Sequence, residues 1–240
     1  MCTVTWWREP AADAFGVWFN RDERRTRPAS EPVQRFVTPD GTSYLAPRDP
    51  TAGGTWLLAN ARGLVIGVLN HYAAAARLES APARSRGLLP LQLGAGADVA
   101  VVAENLSALN PADFAPFILV AWDRVHAASW TWDGARLERD DAPALPLTTS
   151  SHRTDEICAW RRARYAALVA QPDRGALAAF HEDTAHPDPA FNVRMRRPDA
   201  RTESVCRVTV TPGEVCFWHR REAPDAIAAR DEQEQVLTRT

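Results

Sequence analysis

Leu64-Val65-Ile66-Gly67-Val68-Leu69-Asn70 is a continuous apolar run that ends on an asparagine. A strand with one wet face alternates apolar and polar residues, so an unbroken run predicts a strand buried on both faces. Any fold for this chain must therefore supply cover on either side of that strand. Thr3 to Trp7, Ala14 to Phe19 and Thr55 to Ala59 read as further strands from their β-branched and aromatic residues. So do Pro116 to Ala121, Ala128 to Trp132 (followed by the hairpin-type turn Asp133-Gly134) and Leu145 to Thr149. Thr202 to Val210 and Val215 to His219 form a last hairpin through Thr211-Pro212-Gly213-Glu214.

Helical patterns separate these strands. Leu88 to Leu93 is a short one, and a second starts near Asp98 and runs through Leu106 and Leu109. Thr154 to Ala170 is the longest, with Ile157, Trp160, Tyr165 and Leu168 on its apolar face and Arg161, Arg162 and Arg164 read as solvated. Gly175 to Phe180 adds another turn or two. Arg24 to Pro50, rich in Arg, Pro and Ser, reads as a long, partly ordered loop, and loops of that length inside domains are often functional. From Arg220 onward the polar composition predicts a surface helix or a frayed tail. The sum is an α+β chain with largely antiparallel strands, in which either one sheet under helices or two stacked sheets with helices outside fits the pattern. We expect one domain over 1–240, with a polar tail from about residue 223.

Several classes are excluded by composition. The 240 residues carry 28 basic and 30 acidic side chains, a net charge of −2, and every basic residue is an arginine. That balance lacks the electrostatic footprint of a nucleic-acid binder. No stretch approaches the ~18 apolar residues of a membrane span, and the N-terminus has no basic region followed by an apolar run. A cytoplasmic protein without membrane insertion is expected. Cys2, Cys158, Cys206 and Cys216 contain no C-x-x-C pair, which argues against a zinc site or a disulfide framework. His181-Glu182-Asp183 with His186 and Asp188 has metal-ligand residue types, but a spacing of five keeps the two histidines off one helical face, and a polar surface loop is the reading. No cofactor or metal is expected. Trp6, Trp7 and Trp18 could line an apolar pocket but read as core, and the Arg-rich stretches Arg24-Arg25 and Arg194 to Arg197 could meet an anionic ligand but read by default as solvated surface.

The chemistry concentrates at Met1-Cys2-Thr3. Trimming of Met1 would leave Cys2 with a free α-amine on the same carbon as its thiol-bearing side chain. The thiolate is the nucleophile, and an α-amine with a reference pKa of roughly 7.7–8.0 can serve as the base for its own side chain. Many chains begin Met-Cys by chance, so the weight comes from what accompanies it. The hairpin through Glu9-Pro10-Ala11-Ala12-Asp13 returns Asn20-Arg21-Asp22-Glu23 towards Cys2. Gly53-Gly54-Thr55-Trp56, the Asn60 to Asn70 segment and Ser85-Arg86-Gly87 follow in order, and Arg201-Thr202-Glu203-Ser204 opens a late strand.

This series resembles the NRDE family, also called the transport and Golgi organisation family, over roughly the first ninety residues and more loosely to Val210. That family in turn is similar to the N-terminal nucleophile (Ntn) hydrolases of the cysteine branch, which includes choloylglycine hydrolases and penicillin V acylases. The resemblance implies a four-layer αββα sandwich with two antiparallel sheets. It implies Cys2 as nucleophile with its amine as base, Asp22 holding the ammonium and Arg21 favouring the thiolate. Asn70 would donate to the oxyanion and Arg201 would close the pocket. A Cys2 thiol near Arg21, Arg201 and its own ammonium is expected to have a lowered pKa.

Two departures from the hydrolases stand out. They carry Arg-Asn-x-Asp where this chain has Asn20-Arg21-Asp22-Glu23. In a regular strand Asn20 and Asp22 share one face and Arg21 and Glu23 the other, so both pairs reach Cys2 only with a bulge. The hydrolases also carry an asparagine after a Leu-Thr pair, where this chain has Thr149-Ser150-Ser151 after Leu147-Thr148. The expected function is a cysteine hydrolase of a non-peptide amide or related acyl bond. The alternative keeps the fold without turnover, as a carrier for a hydrophobic or acylated metabolite linked by resemblance to membrane trafficking and lipid metabolism. Either way the partner is a small acylated or hydrophobic ligand, and the oligomeric state is open.

Overall fold

In the computed structural model, which describes residues 2–76, 84–222 and 231–240, the chain opens with a long hairpin. Cys2–Glu9 (β1) turns through Pro10–Ala12 into Ala14–Arg24 (β2). Along β1 the even positions Cys2, Val4 and Trp6 face one way and Thr3, Thr5 and Trp7 the other, as the two-residue period of a strand requires. Glu31–Val37 (β3), Ser43–Arg48 (β4), Leu57–Asn60 (β5) and Val65–Asn70 (β6) follow, then a single turn at Tyr72–Ala75 (α1). Leu89–Leu93 (α2) and Val99–Ser107 (α3) precede Phe117–Trp122 (β7), Ala127–Trp132 (β8), Leu137–Asp140 (β9) and Leu147–Thr149 (β10). Thr154–Leu168 (α4) and Arg174–His181 (α5) lead to Ala200–Val210 (β11), Glu214–Arg221 (β12) and Asp231–Thr238 (β13).

The strands form two antiparallel sheets, one of six strands in the order β10-β1-β2-β11-β12-β13 and one of seven in the order β3 to β9. They stack face to face on a core that includes Val4, Phe15, Val17 and Phe19 from one sheet and Leu57, Val65, Leu69 and Trp122 from the other. Gly67 lets the sheets approach, since a Cβ there would meet the Phe19 and Trp122 rings at 3.3 Å. The outer face of the seven-stranded sheet packs Leu64, Ile66 and Val68 under α2 and α3 through Leu89, Leu93, Val99 and Val102. The outer face of the six-stranded sheet packs Trp7, Trp18 and Val205 against Leu177 and Phe180 of α5. The result is a four-layer αββα sandwich. Strand β6 is covered on both faces, as its apolar run predicts, and each buried Leu, Ile or Val there stabilises by roughly 1.5–3 kcal/mol. No helix among the described residues is long and apolar enough to cross a membrane.

Four expectations are corrected. The stretch read as a loop from Arg24 to Pro50 contains β3 and β4, joined across Pro39-Asp40-Gly41. Strand β3 is an edge that buries little beyond Val33, so it shows almost no alternation, and Pro32 is tolerated there because an edge need not donate every N–H. Short β9 escaped for the same reason. At the other end, the described residues are strands, not a helix or a frayed tail: β12 runs to Arg221 and β13 pairs with it from Asp231 to Thr238. Asp-Glu-Gln-Glu-Gln has no strand pattern, and what holds it is the unpaired backbone edge of β12 together with burial of Leu237. The expected tail from residue 223 thus ends in a strand, while 223–230 lie outside the described residues. Arg161, read as solvated, is fully buried, and so is His181, read as part of a surface loop.

His181 closes α5 beneath β1 and β2. The Asn20 side-chain amide donates to the carbonyls of His181 and Val193, so its oxygen must accept from His181 Nδ1 at 2.8 Å. That assignment leaves Nε2 to accept from the Thr5 hydroxyl at 2.8 Å. A neutral ring is thereby satisfied on both nitrogens, and burial, with the nearby Arg161 charge, pushes its pKa down to about 3. The unfolded chain takes up this proton near pH 6.5, which the native state refuses. The stabilisation is therefore complete above about pH 6.5 and is lost as pH falls towards 3, with a slope of up to about 1.4 kcal/mol per pH unit. Urea denaturation between pH 7 and 4 should show this acid slope, and His181→Gln should flatten it. An unchanged slope in that variant would exclude His181 as the source.

Candidate active site

The β1 ladder places Cys2 directly between Thr149 of β10 and Arg21 of β2. Directly opposed residues in an antiparallel pair share a face, so Cys2 and Arg21 both point between the sheets. A cavity of roughly 1060 Å³ opens there, lined among others by Cys2, Arg21, Asp22, Asn70, Tyr72 and Arg86. The space is ample for a metabolite-sized ligand. Four of the five residues expected from the sequence thus meet at one cavity, and Arg201 is not among those lining it.

Cys2 is 7% exposed, and its backbone nitrogen donates to the Thr149 hydroxyl at 3.3 Å. Burial raises the thiol pKa; the positive chain terminus, Arg21 and the Asp22 backbone N–H pull it down, and the Asp22 charge pushes it up. Burial prevails, so the thiol lies above its ordinary value, contrary to the lowered pKa expected from the sequence. The other three cysteines are also free thiols shifted upward by burial.

Arg21 explains why it lowers the thiol so little. Its guanidinium donates to Glu203 at 3.0 Å and Glu23 at 2.9 Å, lies 3.5 Å from Asp49, and stacks 4.5 Å over Trp56. Burial alone would lower its pKa, but these carboxylates outweigh burial and raise it. Glu203 in turn accepts from the Ser30 N–H and hydroxyl, each at 2.9 Å, and its own carboxyl is held low by Arg21 and Ser30 against burial. Strand β2 pairs with β1 without a bulge, so only one face of Asn20–Glu23 meets Cys2; the bulge lies on the neighbouring strand. In β11 the register with β2 shifts between Thr202, which faces Asp22, and Ser204, which faces Arg21. Glu203 is the inserted residue, and the bulge turns it onto Arg21. Arg201, opposite Glu23, stays half-buried beside Arg25 and Arg196.

Asp22 belongs to the other face of β2. Its carboxylate accepts from the Thr202 hydroxyl at 2.7 Å and lies 3.5 Å from Arg161 of α4. Arg161 also donates to the hydroxyls of Thr3 at 2.9 Å and Thr148 at 3.3 Å, and to the carbonyls of Asn192 at 2.7 Å and Phe191 at 3.3 Å. One buried guanidinium therefore ties β1, β2 and β10 together at the level of Cys2. Its place was legible in principle, because Arg161 lies four residues after Ile157 and so shares its inward face.

Asn70, at the end of β6, donates from Nδ2 to the Tyr72 hydroxyl at 2.8 Å. Burial first, and then the Cys2 charge, raise the Tyr72 pKa to about 12, so the phenol keeps its proton and anchors the amide. Asn60 is spent on structure: its oxygen accepts from the N–H of Arg62 and Leu64, and its nitrogen donates to Gly94 and Gly96. The two glycine motifs form a wall of the cavity by touching each other. Thr55 N–H donates to the Gly87 carbonyl at 2.8 Å, and a Cβ on Gly54 would sit 2.6 Å from Gly87 backbone. Tyr72, Glu203 and Arg161 were missed as site residues. Tyr72 carries no sequence signal beyond its nearness to Asn70, and Glu203 depends on the bulge.

Two stacked antiparallel sheets between helices, with Cys2 lining the cavity at the edge between them, give an Ntn-hydrolase-like fold. The chain is similar over its whole length to two solved variants of the conjugated bile acid hydrolase from Clostridium perfringens. The TM-scores are 0.57 and 0.58 at 12% identity, covering 100% and 99% of this chain and 97% and 96% of that one. Residues 1–160 match the Transport and Golgi organisation 2 family, and the chain belongs to that family. No curated protein matches it.

Breaking a buried ion pair by removing one partner costs about 3–5 kcal/mol. Arg161→Met should lose at least that in chemical denaturation, because two hydroxyls and two carbonyls lose their donor as well. Adding Asp22→Asn should recover part of the loss; strictly additive losses would show that Arg161 and Asp22 do not act as a pair.

Proposed function

We propose that the protein is a cytoplasmic N-terminal cysteine hydrolase that cleaves a non-peptide amide or a related acyl bond. The observation that carries this reading is that Cys2 offers its side chain to a large cavity while Thr149 holds its backbone nitrogen. After removal of Met1 that nitrogen is the amine that accepts the thiol proton. The thiolate attacks the substrate carbonyl, forming a C–S bond and an oxyanion. Asn70, with one Nδ2 hydrogen on Tyr72, directs the other to that oxyanion. Collapse breaks the C–N bond, and the ammonium returns its proton to the leaving amine. Water then attacks the thioester with the amine as base, releasing the acid and the thiol. Because burial keeps the Cys2 thiol neutral, the amine has to be unprotonated for the first step. Activity therefore falls as pH drops below the amine pKa, roughly 7.7–8.0 for an unperturbed α-amine.

The carrier reading is favoured by a specific observation. Where the hydrolases of the resemblance have a second asparagine, Thr149 binds the Cys2 nitrogen and Ser150 turns to its own loop, donating to the His152 carbonyl at 2.6 Å. Neither supplies an amide donor.

Intact-mass measurement with a panel of acylating amides separates the two. The mature chain should lack Met1 and gain one acyl group, and Cys2→Ser should abolish the adduct. Asn70→Ala, normalised to folded protein, should slow acylation by about 100-fold with little change in ligand affinity. Quantitative retention of Met1, or no adduct from any amide, would put the carrier reading first.

A further inference from the structure

The two Arg-rich stretches lie far apart in sequence but meet at the mouth of the cavity. Pairing of β2 with β11 sets Arg24 opposite Ala200, and Arg196 bridges to Arg201. The Arg25 N–H donates to the Asp199 carbonyl at 2.9 Å, and its Nε to the Arg197 carbonyl at 2.9 Å. Arg24, Arg196 and Arg197 line the same cavity as Cys2.

The charges there do not balance. Glu23 and Asp49 are taken by Arg21 and Arg27, and Asp199 by Arg197. Asp22 is held by Arg161, and Asp188 lies 3.8 Å from Arg153. Every carboxylate lining the cavity thus has an arginine. Among the described residues Arg24 and Arg196 have no carboxylate partner, and Arg86, across the cavity, gives its Nη1 to the Pro116 carbonyl. Arg201 beside them is lowered first by burial and then by the fields of Arg25 and Arg196, while Glu203 and Glu222 raise it. Such crowding costs stability unless an anion relieves it.

We infer that Arg24 and Arg196 form an anion subsite for a phosphate or carboxylate carried by the substrate. Cys2 pairs with Arg21, and Arg24 lies three residues further along β2. That odd spacing puts Arg24 on the opposite face of β2 from Arg21, so the subsite lies beyond the end of the Arg21 cluster and not beside the thiol. The substrate class is therefore an acylated amide that carries a terminal anion away from its scissile carbonyl. As a statement about substrate this rests on the hydrolase reading; as a statement about anion binding it stands alone.

The test uses three amides with one acyl chain and a distal carboxylate, a distal phosphate or a neutral methyl ester. The rate of Cys2 adduct formation is read by intact mass. At low salt at least one anionic amide should react about 10-fold faster than the ester, as one charge-assisted contact allows, and salt should erode the gap. Which anion reacts faster identifies the chemistry. In Arg24→Gln/Arg196→Gln, two exposed positions whose change should leave the near-ultraviolet spectrum intact, the ratio should fall towards one. Equal rates for all three amides in the wild type would overturn the subsite. If none forms an adduct, the hydrolase reading fails and calorimetric titration of the full chain with pyrophosphate decides. Saturable binding weakened about 10-fold by the double variant supports the subsite. Absent binding, or binding that the variant leaves unchanged, overturns it.

Discussion

A single buried guanidinium sets the geometry of the candidate site. Arg161 rises from α4 into the face of the six-stranded sheet and is fully excluded from solvent together with the Asp22 carboxylate. A buried ion pair carries a desolvation cost that its mutual attraction alone does not offset. Here four more hydrogen bonds, to Thr3, Thr148, Phe191 and Asn192, satisfy the remaining donors. Those partners come from the strand bearing Cys2, from its neighbour β10 and from the loop before β11. Moving any of them strands a charge in a dry layer, so the ends of three strands are held at one level and Cys2 with them.

The two faces of β2 divide the electrostatic work. On the helix side Asp22 is matched by Arg161, and Asn20 by His181. On the cavity side Arg21 is matched by Glu203, Glu23 and Asp49, with Trp56 beneath it. Both charged groups nearest the thiol are thus already compensated. Their fields on Cys2 oppose each other, and burial decides the outcome. The resting Cys2 side chain is a desolvated neutral thiol, which differs from a preformed thiolate. In the proposed reaction such a thiol depends on the amine freed by removal of Met1 for activation, and on fixed donors such as Asn70 to stabilise charge only when it develops.

The polar surroundings of the cavity add a second level of organisation. Gly54 and Gly87 touch backbone to backbone and bring Arg86 to one wall. The β2–β11 ladder brings Arg24 and Arg196 to the mouth. Between them lie Cys2, Tyr72 and Asn70. Cys2 thus shares one cavity with Arg24 and Arg196, and the proposed subsite would draw an anionic ligand into it by the field of those arginines.

The sequence by itself determined the α+β class with antiparallel strands, the central doubly covered strand, the long helix, and the approach of Arg21 and Asp22 to Cys2, while the four layers came only with the family resemblance. All but the layers are consequences of local patterns: apolar runs, a two-residue period and a hairpin turn between β1 and β2. Asn70, which the family resemblance placed at the site, lines the cavity, and so do Gly54 and Gly87, which the sequence offered only as marks of the family. The edges were beyond it. β3, β9 and β13 are held by backbone pairing with an adjacent strand, and their side chains carry little of the signal. Arg201 is beyond the cavity and Glu203 within reach of Arg21 because one extra residue bulges from β11, a choice made by the pairing of two distant strands. Arg161 and His181 were misread because composition marks them as polar surface, while only the packed structure supplies the buried acceptors that let them be interior. Charge at the site was decided the same way. Residue types promised a lowered thiol pKa, and three-dimensional burial, together with the carboxylate cage around Arg21, reversed it.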